Sequence, residues 1–241
     1  MVSSPRSPWL VACNHVVTHS LQEPLRKLSL FADILSRTTE KGSTQKSVSR
    51  LLQMVSQMQK VTTGLQQYIW LSDTSYQTTD LNEAAFQATE KLQQKYPGVK
   101  ISDEKDELPF INADSKQMQL LFYELLSNAV KFRKAENNAR ITIRSAILML
   151  NKFRHIPGKY GYTEFVRIEI KDDGMGFKNE YREQVFQLFR KLHKKEGQGI
   201  WLALCKKIAE NHHGSITISS DENEGTTVEL FLPVNAGGVW V

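Results

Sequence analysis

The chain has 241 residues, 24% charged and 40% hydrophobic, with a formal net charge of +5. That composition suits a folded protein with one large or two modest cores. The mild charge, scattered apart from Arg190 to Lys195, argues against nucleic acid as a partner. Two distant cysteines, Cys13 and Cys205, argue against a disulfide framework. No apolar run approaches the roughly twenty residues of a membrane helix, and the N-terminus lacks a signal-peptide layout. The expectation is a cytoplasmic protein, or the cytosolic piece of a longer one.

From about Leu10 to Arg37 the apolar residues fall at helical spacing, with Leu21, Leu25, Leu28, Ala32 and Leu35 on one seam. Thr39 to Thr44 reads as a polar turn. Val48, Leu51, Val55, Met58, Thr62, Leu65 and Ile69 place a second helix after it. Two amphipathic helices with a short connection predict an antiparallel hairpin over residues 1–76. One hairpin buries little, so pairing about a two-fold axis predicts a four-helix bundle and a homodimer.

Residues 77–241 predict a second domain. Leu71 to Thr79 reads as a polar hinge. Asp80-Leu81-Asn82-Glu83 reads as a capped helix start, and Pro97-Gly98 stops that helix. Short strands follow at Val99 to Ser102 and Phe110 to Asn112, then a helix from Ser115 to Phe132. Alternation predicts longer strands at Arg140 to Leu150 and Glu164 to Lys171, joined by a loop with Pro157-Gly158. Helices at Glu180 to Arg190 and Ile200 to His212, and strands at Ser215 to Ser219 and Thr226 to Leu232, complete the reading. The fold class is α+β: the helical hairpin, then an α/β sandwich with a mixed sheet and helices on one face.

Four places carry candidate chemistry. A helical wheel sets His19 roughly 160° from the seam, so a neutral imidazole is offered to water. An ordinary surface histidine has the same position, as His15 does; Pro24 adds a kink or strained turn just beyond. Glu124 and Asn128, four apart, share a helix face, with Leu120, Leu121 and Leu125 opposite. Asn128 offers a neutral oxygen suited to magnesium, Glu124 can orient or deprotonate an attacking group, and Lys131 can reach a phosphate. A solvated polar stripe is the plainer reading of the same residues. Asp172-Asp173-Gly174-Met175-Gly176 follows a strand, where glycines let a flat base approach and a carboxylate accepts from an exocyclic amine; a tight strand-end turn has the same composition. Gly197-Gln198-Gly199 precedes a helix whose first amides attract phosphate.

In that order the pieces resemble the transmitter region of a sensor histidine kinase: a dimerisation and phosphoacceptor hairpin, then a Bergerat-type catalytic ATP-binding domain of the GHKL class. Residues Leu21 to Lys27 look most like the phytochrome-related branch. The resemblance implies ATP and Mg2+ as cofactors and His19 as acceptor of the γ-phosphate. It also implies a response-regulator receiver domain as the partner whose aspartate takes the phosphate on. It assigns Asn128 to the metal, with Glu124 as its acidic partner and Lys131 as a phosphate contact. Asp172, Gly174 and Gly176 match the adenine turn, Phe186 and Phe189 the F box, Gly197 and Gly199 the second glycine box, and Gly225-Thr226 the closing turn.

The chain departs from the family pattern at several positions. Ser20 stands where an acidic residue assists proton removal from the imidazole, help worth about 10²–10⁴-fold. Trp201 replaces a glycine and sets indole bulk where it fills part of the phosphate site or props the helix away. The lid between Phe189 and Gly197 is short, and Glu23 replaces the Thr or Asn of strong phosphatases. The reading is therefore an ATP-dependent protein-histidine kinase, against a catalytically degenerate dimeric scaffold. An ATPase clamp of the gyrase type is a third class, disfavoured by the hairpin upstream.

Overall fold

The computed structural model describes residues 25–32, 34, 41–71, 73–134, 138–151, 160–188 and 199–235. His19, Ser20, Phe189 and Gly197 lie outside the described residues, as does most of the first predicted helix. The helical residues up to Gln67 form one compact unit, and the described residues from Tyr68 onward form another.

In the first unit, residues 25–32 are helical (α1) and α2 runs Lys41–Trp70. The polar stretch read as a turn is thus helical from Lys41. Lys, Ser, Thr and Gln all tolerate helix, and the single Gly42 costs only about 1 kcal/mol there. The Arg50 guanidinium lies 5.4 Å from the centre of the Phe31 ring, a cation–π contact between the two helices. Leu25, Leu30, Val48, Leu52 and Val55 remain exposed.

The second unit is an α+β fold. Its main sheet has the order β2 (Ile101–Lys105), β4 (Ala139–Asn151), β5 (Tyr162–Asp172), β7 (Gly225–Pro233), β6 (Ser215–Asp221). β2 and β4 are parallel and the remaining pairs antiparallel, so the sheet is mixed. Three helices cover one face: α3 (Leu81–Lys95), α4 (Ser115–Lys131) and α5 (Trp201–Asn211). Alternation decides the facing. Ile141, Ile143, Val166, Ile168, Ile170, Val228 and Leu230 point to the helices and are buried with Leu121, Phe122, Leu125, Leu204 and Ile208. The opposite face carries Arg167, paired with Glu169 at 2.7 Å and Glu229 at 3.1 Å. Helix starts are capped by acids: Asp80 accepts from the Asn82 amide at 2.8 Å and Asp114 from the Gln117 amide at 3.0 Å.

Two expectations are corrected. Glu180 to Arg190 is no helix where described, only two 3₁₀ turns at Asn179–Tyr181 and Gln184–Phe186. Val185 is buried and Phe186 packs on the core, and short tight turns satisfy both anchors where a continuous helix would rotate one away. The supposed hinge contains β1 (Gln77–Asp80), antiparallel to β3 (Phe110–Ala113), and its earlier part is strapped to the sandwich. Leu71 is fully buried and its carbonyl accepts from Asn211 Nδ2 at 2.5 Å. Gln117 Nε2 donates to the Asp73 carbonyl at 3.0 Å, Asp114 Oδ2 accepts from the Ser75 amide at 2.8 Å, and the Tyr76 hydroxyl donates to the Asn211 carbonyl.

Candidate functional site

The sheet order brings the end of β5 beside the end of α4. The Met175 amide, in the turn after β5, donates to the Phe132 carbonyl at the C-cap of α4, at 2.8 Å. Two regions 43 residues apart thereby share one wall.

On the α4 side, helical periodicity sends Leu121, Phe122 and Leu125 into the core and leaves Asn128 and Lys131 half-buried. Glu124 is 3% exposed, which overturns the plainer expectation of a solvated polar stripe at this position. Burial pushes its carboxyl up to about 7, against the opposing pull of Lys131 and Lys95. Near neutral pH it therefore divides between acid and carboxylate, the condition under which a side chain both accepts and returns a proton. Burial also lowers the Lys131 ammonium below its ordinary value, with Glu124 opposing and Lys95 adding to the effect. Leu120, expected on the face opposite Glu124, lies one turn before it on the same side of the helix and is half-buried against the core. The fully buried Ser127 hydroxyl has no hydrogen-bond partner among the described residues. Cys205 of α5 is fully buried close enough for Glu124 to help burial raise its thiol.

On the β5 side, the Asp172 carboxylate accepts from the Gly174 amide at 2.9 Å and from the Thr226 backbone. Desolvation nonetheless pushes it up to about 6, with Asp173 adding to the rise. Gly174 has no room for a side chain: a Cβ there would stand 2.7 Å from both Asp172 Oδ1 and the Phe132 carbonyl. Gly176 takes φ +59 for the same turn. Ser220 clamps the turn, accepting from the Phe177 amide at 2.9 Å and donating to the Gly225 carbonyl at 2.7 Å. Its hydroxyl also lies 3.2 Å from Thr226 Oγ1. Asn223 closes the other side through its amide to the Met175 carbonyl at 2.7 Å.

Gly199 has φ +67 and leads into α5, whose N-cap residue Ile200 supplies no side-chain acceptor to the first-turn amides. Trp201 is half-buried against the core, and Ile200, Leu204, Cys205 and Ile208 are all fully buried. The indole therefore does not prop α5 away from the body. Phe186 packs on the core with Lys206 Nζ 5.9 Å from its ring centre.

The residues fit a nucleotide. A carboxylate has about four acceptor positions, and the two backbone bonds to Asp172 leave capacity for an exocyclic amine. Gly174 keeps the adjoining wall flat. Among the described residues no three His, Cys, Asp or Glu gather to hold a metal alone. Asn128 suits a magnesium ion that takes most of its ligands from phosphates and water.

Sequence reasoning missed Lys95, Tyr123 and Ser220. Lys95 Nζ donates to the Tyr123 hydroxyl at 3.1 Å, and Lys91, Lys116, Gln119, Leu120 and Tyr123 line a groove of about 250 Å³ beside them. The groove includes none of Asn128, Asp172 or Thr226 and is distinct from the nucleotide wall.

A family model described as histidine kinase-, DNA gyrase B-, and HSP90-like ATPase matches residues 113–236, just over half the chain. Cyanobacterial phytochrome A of Nostoc sp. is 28% identical over 228 residues, 91% of this chain and 28% of the relative. Signal transduction histidine-protein kinase AtoS of Escherichia coli is 28% identical over 228 residues, 92% of this chain and 34% of the relative. The chain thus spans about a third or less of these curated relatives. Among solved structures, full-length ShkA in complex with AMPPNP aligns with TM-score 0.56 at 19% identity, over 91% of this chain and 45% of that one. Histidine kinase ThkA in complex with response regulator protein TrrA aligns with TM-score 0.63 at 17% identity, over 94% and 62%. At these identities the structural likeness is one of fold.

Proposed function

The chain belongs to the histidine kinase-, DNA gyrase B- and HSP90-like ATPase family, and from that membership we propose that it is a protein-histidine kinase of two-component signalling. The domains divide near residue 76: a dimerising, phosphate-accepting hairpin over 1–76 and a catalytic ATP-binding domain over 77–241. His19 accepts the γ-phosphoryl group of ATP and passes it to an aspartate of a response-regulator receiver domain. The protein works in the cytoplasm as a homodimer. The exposed apolar residues Val48, Leu52 and Val55 of α2 support the pairing.

The observation that carries this reading is the Met175–Phe132 hydrogen bond, which sets the Asp172 turn against the Asn128–Lys131 face. In the proposed site Asp172 accepts from the adenine amine, Gly174 and Gly176 admit the base, and Thr226 steadies Asp172 from β7. Asn128 would hold Mg2+, which would supply charge neutralisation for the phosphates. Lys131 contacts the phosphates, as does the backbone amide at Gly199; Gly197 of the same glycine pair lies outside the described residues. Phosphoryl transfer asks for positioning and charge neutralisation more than for covalent chemistry by the protein. Glu124 handles the proton, a task for which a group titrating near neutrality is suited. ThkA, whose solved complex holds a response regulator, supports the choice of partner.

Labelled ATP with magnesium should yield an acid-labile, alkali-stable phosphate on the protein, lost in His19→Ala. A folded protein that binds ATP yet takes no label under any metal condition overturns the kinase assignment. It would favour the degenerate scaffold, which Ser20 and Trp201 motivate.

A further inference from the structure

Resting on that nucleotide-binding reading, we infer that Ser220 is a positioning residue that sets base specificity: it turns the Thr226 hydroxyl so that its oxygen meets the base as an acceptor, beside the Asp172 carboxylate. Strand register places the three together. Asp172 of β5 pairs with Thr226 of β7, and Thr226 pairs with Ser220 of β6. Residues directly opposite in antiparallel strands share one face, with Cβ atoms about 4.5–5.5 Å apart. The row continues to Ile141 of β4, which is buried under the helices, so all three polar side chains stand on the helix-covered face. Ser220 is buried there, whereas Thr226 and Asp172 are half-buried and keep access for a ligand.

Counting protons fixes the direction of this chain of hydroxyls. A serine has one proton to give and two positions at which to accept. Ser220 gives its proton to the Gly225 carbonyl at 2.7 Å, a group that can only accept, and accepts from the Phe177 amide at 2.9 Å. Thr226 Oγ1 lies 3.2 Å from the Ser220 oxygen, and the one proton left for that contact is Thr226's own. Among the described residues the Thr226 hydroxyl has no other partner. Its oxygen can therefore only accept from whatever arrives. The Thr226 amide donates to the Asp172 carboxylate, which ties the two acceptors together. A purine with an exocyclic amine brings two protons to this pair. A purine with a carbonyl at the same ring position brings lone pairs against two acceptors. The row thus selects amino purines over oxo purines, through a residue that need not touch the ligand. Released from Ser220, the Thr226 hydroxyl is free to rotate and donate to a carbonyl.

The test is calorimetric binding of ADP and IDP with magnesium to the full chain and its variants, read as the ratio of the two affinities. IDP carries a ring carbonyl in place of the amine. The wild type is expected to bind ADP about tenfold or more tighter than IDP, and Ser220→Ala to narrow that ratio about fivefold. Ser220→Thr keeps the hydroxyl and should retain the ratio. Thr226→Val removes the acceptor at nearly constant shape and should narrow the ratio as well. Adding Ser220→Ala to Thr226→Val should narrow it no further, because Ser220 acts through Thr226. Where Ser220→Ala does not fold, Ser220→Cys, a weaker donor, makes the same comparison. Equal loss of both nucleotides, with the ratio unchanged, marks a merely structural clamp and overturns the inference. Independent effects in the double variant overturn it too. A wild-type chain that binds ADP and IDP equally well defeats only this inference. A wild-type chain that binds no nucleotide defeats the nucleotide-binding reading and this inference with it.

Discussion

The backbone amide of Asp114 donates to Nε2 of His212 at 2.9 Å, joining positions 98 residues apart. Nδ1 faces the Ile208 carbonyl at 2.8 Å, so the network assigns the ring proton to Nδ1. The same Asp114 caps α4 and holds the Ser75 amide. His212 therefore lies behind the strap that fastens residues 71–76 to the sandwich. His212→Ala leaves a buried amide without an acceptor and opens a cavity, an expected cost of about 2–4 kcal/mol. Burial holds the imidazole below its ordinary value, with the Ile208 carbonyl and Asp114 pulling the other way and the neighbouring His213 adding slightly. Protonation removes Nε2 as an acceptor, so this contribution is complete above about pH 6.5 and is lost as pH falls through the lower folded value. In urea denaturation the stability difference between wild type and His212→Ala should shrink from pH 7.5 to 5, because Glu124 and Asp172 act alike in both proteins. Identical pH slopes in the two proteins refute it.

Glu124 predicts the opposite trend. Its folded value of about 7 stands above its unfolded value of 4.5. Its contribution is complete below about pH 4.5 and is lost as pH rises through 7. Glu124→Gln should thus gain stability over the wild type on going from pH 5 to pH 8.5, by on the order of 3 kcal/mol. Subtracting one protein from the other isolates this group from Asp172, which titrates in the same direction. A difference that does not change with pH would show that Glu124 is solvated.

Periodicity located α4, β4, β5 and β7 to within a few residues, because each has a dense apolar stripe that a single core demands. It failed where tertiary pairing decides. Gln77-Thr78-Thr79-Asp80 has no apolar alternation, and only its ladder to β3 makes it a strand. Residues 180–188 have helix-forming composition, yet the two anchors Val185 and Phe186 set their path. The site divides in the same way. Asp172, Gly174, Asn128 and Lys131 stand out by spacing and type within short motifs. Ser220 does not, because its partner Phe177 lies 43 positions away and meets it only after β6 docks on β7. Glu124 was recognised as a residue but not as a buried one, since i,i+4 spacing says which groups share a face and not what covers it.

Asp172→Asn tests the base pocket. The amide that replaces the carboxylate presents a donor where the adenine amine also donates, so nucleotide affinity should fall by about a hundredfold. In the wild type, affinity should decline as pH drops through about 6, where the raised carboxyl takes up its proton. Fluorescent-nucleotide titrations between pH 5 and 8 check both. An affinity that is flat across that range excludes an ionised Asp172 as the recognition group.

Gly225 stands where β7 begins to pair with β5, at φ +107. A Cβ at this position would lie 2.0 Å from the Asp172 carbonyl oxygen and 3.1 Å from Asp173 Cα. Neither neighbour can yield, because Asp172 is bonded in register to Thr226 and the next turn is fixed by Ser220 and Asn223. Gly225→Ala should therefore cost roughly 3 kcal/mol or more, combining backbone strain with overpacking. It should also weaken nucleotide binding, since the displaced strand end carries Asp172. Gly98→Ala is the internal comparison. Nothing lies within 4 Å of its added methyl, and the loss of unfolded-state freedom makes it neutral or stabilising by about 0.4–1 kcal/mol. Thermal unfolding of the two variants side by side checks the pair. Equal melting temperatures would show that the β5–β7 junction is looser than its hydrogen bonds imply.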